Sequence, residues 1–154
     1  MKHVIVMLAL ALTACSKDSG KPPPTQPFTG APVGCVFDKF AEEGVVTRCY
    51  NFSDKTTASY QFVVQYKDKD GKVVNAKPGT PFEKDFDFMS MSGRKYSIKP
   101  KSWTEIEIDM LEVPPGAATA EVMVTRVGAV APDGAKIEDL WEYEGGSFEW
   151  PVKK

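Results

Sequence analysis

Ala58-Ser59-Tyr60-Gln61-Phe62-Val63-Val64-Gln65-Tyr66-Lys67 places apolar or aromatic residues at its even positions and mostly polar ones at the odd. Successive side chains of a β-strand point to opposite faces, so this period of two predicts a strand with one face in a core. The pattern recurs outward in both directions. Thr104-Glu105-Ile106-Glu107-Ile108-Asp109-Met110 repeats it, Phe82-Glu83-Lys84-Asp85-Phe86-Asp87-Phe88 repeats it with one lysine out of place, and Ala120 to Val127 follows it loosely. Between these runs stand Asp70-Gly71, Lys77-Pro78-Gly79, Pro114-Pro115-Gly116, Pro132-Asp133-Gly134 and Gly145-Gly146, pairs and triplets that reverse a chain. No segment has a helical period. The expectation is an all-β fold of about seven to nine antiparallel strands, folded as a sandwich.

The rest of the composition limits the function. The chain has 154 residues, 42% hydrophobic and 26% charged, with a net charge of −2. That length suits one domain, and the near-neutral charge offers no basic footprint for nucleic acid. Cys35 and Cys49 flank Glu42-Glu43-Gly44, which can turn the chain and set the two cysteines opposite each other in a hairpin. A disulfide there closes a loop for which chain entropy assigns about 3 kcal/mol.

The first residues read differently. Lys2 and His3 precede the apolar run Val4 to Leu12, nine residues that would span only about 14 Å as a helix, under half of a bilayer core. Leu12-Thr13-Ala14-Cys15 follows, and it resembles the lipobox of bacterial lipoproteins. The resemblance implies a signal peptide over residues 1–14, cleavage before Cys15 and lipidation of its thiol. The alternative is an ordinary secretory peptide that happens to contain a cysteine. Ser16 stands where, in Gram-negative lipoproteins, aspartate resembles an inner-membrane retention signal, so the resemblance implies the outer membrane, facing the periplasm. Removal of the leader takes away His3, the single histidine, and with it His-dependent nucleophilic catalysis and the usual His-containing metal sites. Residues 15–34 hold five prolines and three glycines without apolar periodicity, so they read as a flexible tether, and residues 35–154 as the sandwich domain.

A second resemblance covers residues 44–128. Asn51-Phe52-Ser53-Asp54-Lys55-Thr56, the strand to Tyr66, Asp68-Lys69-Asp70-Gly71-Lys72-Val73-Val74 and the late Val113-Pro114-Pro115-Gly116-Ala117 together resemble the FxLYD-type envelope modules. These imply an immunoglobulin-like sandwich, often carried on a lipoprotein, and no inherited activity.

Several constellations bear on chemistry. Asp68-Lys69-Asp70-Gly71 echoes a calcium loop, but Gly79 occupies the position of its closing glutamate, and the stretch reads as a hairpin turn. Glu83, Asp85 and Asp87 share one face of a run, and Glu105, Glu107 and Asp109 share one face of another. Both are solvated faces or, if the strands are neighbours, a cation site. Taking Gly145-Gly146 as a two-residue turn pairs Trp141 with Trp150 and Tyr143 with Phe148, four aromatics on one face. That face is either core or an exposed platform for sugar rings such as those of peptidoglycan. Ser92-Gly93-Arg94-Lys95 matches a loose Ser-x-x-Lys pattern without the companion motifs, and Asn51-Phe52-Ser53 is a sequon of little meaning in a bacterial chain. The expectation is a non-catalytic, lipid-anchored envelope module without cofactor, working as a protein-interaction or structural unit. A carbohydrate-binding module using the C-terminal aromatics is the alternative.

Overall fold

The computed structural model describes residues 24, 26 and 28–145. They form eight strands and one short 3₁₀ helix: β1 (Val33–Ala41), β2 (Gly44–Asn51), β3 (Thr57–Lys67), β4 (Val73–Val74), β5 (Asp87–Ser92), the helix Arg94–Tyr96, β6 (Trp103–Asp109), β7 (Thr119–Val130) and β8 (Ile137–Glu142). Two antiparallel sheets result. One has the order β1-β2-β6; the other has the order β4-β3-β7-β8, with β5 also on β3. First, second and sixth strands in one sheet, with the third, seventh and eighth in the other, is the connectivity of an immunoglobulin-like sandwich.

The run Ala58–Lys67 lies in β3, the spine of the larger sheet. Its even residues Tyr60, Phe62, Val64 and Tyr66 are all buried, facing Val45, Cys49, Ile106 and Ile108 of the smaller sheet within one core. On each side of it β7 and β5 add Val122, Val124, Val127 and Met91. Each such side chain contributes about 1.5–3 kcal/mol by leaving water. The turn at Asp68–Lys72 forms as expected: the Asp68 carboxylate accepts the amides of Asp70 and Lys72 at 2.8 and 2.9 Å, and Gly71 takes a φ of 79°. At Gly44 the reason for glycine is different. A Cβ there would stand 2.1 Å from the carbonyl oxygen of Ile108, so only a bare Cα lets β2 and β6 meet.

The chain crosses from β2 to β3 through a knot centred on Asn51. Its buried amide donates to the carbonyls of Lys55 at 2.7 Å and Ile98 at 3.0 Å, and its carbonyl oxygen accepts from the Ser53 amide at 2.9 Å and hydroxyl at 2.7 Å. An interior polar group is tolerated when it is satisfied in this way.

Two expectations are corrected. The alternating run Phe82–Phe88 is not a strand; β5 begins at Asp87, and Phe82 is 72% exposed. The Glu83 carboxylate accepts the Asn75 side-chain amide and the Gly79 backbone amide, both at 2.8 Å, and so folds residues 75–84 into a loop. Those two donors hold its carboxyl below the ordinary glutamate range. The second correction concerns the tether. Phe28, Ala31 and Val33, which composition placed in it, are buried, and β1 starts at Val33.

Candidate functional site

Cys35 and Cys49 are register partners in β1 and β2 and form a disulfide, as the hairpin reading required. The bond lies within one sheet and closes the first hairpin of the domain.

The two acidic rows do not meet. Glu105, Glu107 and Asp109 lie on β6 of the smaller sheet, whereas Asp87 begins β5 of the larger, and Glu83 and Asp85 precede it in the loop. Local alternation carries no information about which sheet a strand joins, and here the two runs join different ones. Asp87 is moreover buried, with one oxygen accepting from Lys77 Nζ and from the Phe88 amide, both at 2.9 Å. Among the described residues no group of three acidic, cysteine or histidine side chains is placed to hold a metal ion.

Of the four C-terminal aromatics, Trp141 and Tyr143 are described; Phe148, Trp150 and the second turn glycine Gly146 lie outside the described residues, as does the lipobox through Cys15. Trp141 is half-buried against the core as the register partner of Val127. Tyr143 continues beyond β8, its amide donating to the Thr125 carbonyl at 2.8 Å. Both rings meet Phe28, with centroids 6.0 Å from Trp141 and 4.5 Å from Tyr143. Phe28 thus lies against this face.

A different aromatic group occupies the outer face of the smaller sheet. In β2 the inward residues are Val45, Thr47, Cys49 and Asn51, which leaves Val46, Arg48 and Tyr50 on the outside. Tyr50 is opposite Trp103 of β6, and Arg48 is opposite Glu105. The Tyr50 ring meets Trp103 edge-on, at 5.5 Å and 68°, and Phe52 at 5.0 Å and 70°. The Arg48 guanidinium lies 5.9 Å from the Trp103 ring centre, and its Nε is 3.3 Å from the Asp38 carboxylate. All four side chains are half-buried, and the Trp103 indole N–H is enclosed without a hydrogen-bond partner among the described residues. Sequence reasoning missed this group because Tyr50 and Trp103 are distant in the chain and become neighbours only through the β2–β6 register. The one local signal was a tyrosine and an arginine at alternate positions on a strand already placed by its cysteine.

The chain matches no protein-family model, no curated protein and no solved structure.

Proposed function

We propose that this protein is a lipoprotein of the bacterial cell envelope, held through a lipid on Cys15 at the outer membrane facing the periplasm, whose sandwich domain acts without catalysis as a protein-interaction module. The observation that carries the reading is the Tyr50–Trp103–Arg48 group on the outside of the smaller sheet. Tryptophan, tyrosine and arginine are the residues on which protein interfaces concentrate their binding energy. Here they sit side by side on paired strands, and sheet pairing holds their backbones rigid. Two chains of lipid on a cysteine anchor a protein stably, whereas one does so only marginally.

The geometry favours a protein partner over a glycan. A sugar ring stacks on a broad flat aromatic face, but Tyr50 stands edge-on to both of its neighbours. On the other candidate face, Phe28 already lies against Trp141 and Tyr143. Peptidoglycan binding through the C-terminal aromatics therefore has less support.

Two measurements test the proposal separately. Labelled palmitate should enter the wild-type protein in cells and fail to enter Cys15→Ala; equal labelling of both, or of neither, removes the anchor. A photo-crosslinking residue at position 50 should capture a discrete envelope protein, one at the exposed Ser90 of β5 should not, and Trp103→Ala should weaken that capture by more than tenfold. Sedimentation with purified sacculi that depends on Trp141, combined with no capture at position 50, would reverse the preference between partners.

A further inference from the structure

An open cleft of about 500 Å³ lies at one end of the sandwich, in the range of small-ligand sites. Three segments build its walls: Lys55 and Thr56 from the β2–β3 crossing, Arg94 and Ser97 from the 3₁₀ turn, and the β7–β8 hairpin through Ala129 to Pro132, Gly134 and Glu138 to Leu140. None of these residues belongs to the Tyr50–Trp103 face. The cleft combines a small apolar wall, made by Ala129, Ala131, Pro132 and Leu140, with two cations and two acids.

The charges do not cancel within the cleft. Glu138 is bound to Lys136 at 2.8 Å and Asp139 to Arg126 at 2.7 Å, so each acid is already matched by a neighbour on the same hairpin. Among the described residues the Lys55 ammonium makes no ion pair or hydrogen bond, and the Arg94 side chain donates only to the Gly134 carbonyl. An arginine has five N–H donors, and one carbonyl leaves most of them available. The backbones that carry these cations are fixed. The Lys55 carbonyl accepts from the buried Asn51 amide at 2.7 Å, the Thr56 carbonyl accepts from the Val130 amide at 2.8 Å, and the Arg94 carbonyl accepts from the Ser97 amide at 3.1 Å. Beside them the hydroxyls of Thr56 and Ser97 have no partner among the described residues.

We infer that this cleft binds a carboxylate carried on a small apolar body, of the kind a short peptide presents at its free C-terminus. Arg94 engages the carboxylate through its planar fork, Lys55 adds the second positive charge, and the alanine and proline wall receives small side chains. A bare inorganic anion would use the cations and leave the apolar wall uncovered. The site stands independently of lipid anchoring and of the partner proposed above.

The test is a titration of the ¹⁵N-labelled full chain with acetyl-Ala-Ala, its C-terminal amide and inorganic phosphate, followed by amide chemical shifts. Acetyl-Ala-Ala should produce saturable shifts at Thr56, Ala131 and Gly134 in the millimolar range, and the amide should produce none. Lys55→Gln and Arg94→Gln should each weaken binding by about tenfold, the scale of one charge-assisted hydrogen bond. Lys55→Arg should retain it, and all three variants should keep the wild-type circular dichroism because both cations are exposed. Equal shifts with the amide, no saturable shift, or full binding by both glutamine variants would overturn the site. Phosphate binding as tightly as the peptide at the same amides would overturn the assignment of the ligand.

Discussion

Tyr60 and Tyr66 are among the largest fully buried side chains of the core, and each also brings a hydroxyl into it. The Tyr60 hydroxyl lies 3.0 Å from the Thr57 hydroxyl and donates to the Tyr96 carbonyl at 3.0 Å. The Tyr66 hydroxyl has no partner among the described residues and feels the negative charge of Asp87. Burial pushes both phenols well above the ordinary tyrosine range, with the Asp87 charge adding to the effect at Tyr66. Because the folded-state values are raised, the unfolded chain releases these protons first. The stability they contribute is complete below pH 10 and declines above it, by up to about 1.4 kcal/mol per pH unit for each phenol. Absorbance at 295 nm during alkaline titration should therefore show two of the five tyrosines ionising only with unfolding. Tyr66→Phe should remove one of them and leave stability at neutral pH unchanged or slightly higher, whereas Tyr60→Phe should cost about 1 kcal/mol for its lost hydrogen bond. Ionisation of all five before unfolding would contradict this account.

Most individual strands were legible where period two coincided with a turn signal. The runs containing Tyr60 and Ile106 lie within a residue or so of their observed limits, and the turn at Glu42–Gly44 placed Cys35 opposite Cys49. Phe82–Phe88 failed for a physical reason: hydrogen bonds from Asn75 and Gly79 to one glutamate outweighed the alternation and left Phe82 in solvent. The start of the domain was hidden by composition. Proline and glycine surround Phe28, yet its ring packs on Trp141 and Tyr143, and the Pro32 carbonyl accepts from the Phe52 amide at 2.8 Å, contacts that join to the domain residues that otherwise read as tether. Phe28→Ala should lower stability by about 3 kcal/mol in urea unfolding, the lower end of the range for truncating a buried aromatic. Thr29→Ala, at an exposed neighbour, should leave it unchanged. Equal midpoints for the two variants would show that the Phe28 contact adds nothing.

For the whole molecule, what the sequence could not disclose was the assignment of strands to sheets. The acidic row that ends at Asp87 of β5, the acidic row of β6 and the aromatic pair of β2 and β6 all depend on it, in opposite senses: one potential site dissolves and another forms. The disulfide contributes at the same scale, since it restricts the unfolded chain more than it changes any contact in the folded one. Replacing both Cys35 and Cys49 by alanine should cost about 3 kcal/mol in the urea-derived unfolding free energy. Retention of wild-type stability by that variant would mean that the hairpin closes as readily without the bond. The position of the bond also decides how the domain meets mechanical load. A pull from the N-terminal side first loads the Phe28 contact, enters β1 at Val33, and two residues later reaches Cys35. From there the tension crosses a covalent link into β2, which is gripped on both edges by β1 and β6. With the link intact β1 cannot be peeled away one hydrogen bond at a time, and rupture requires shearing a ladder as a unit. Once the sulfurs are reduced, the same pull unzips the hairpin from its free end.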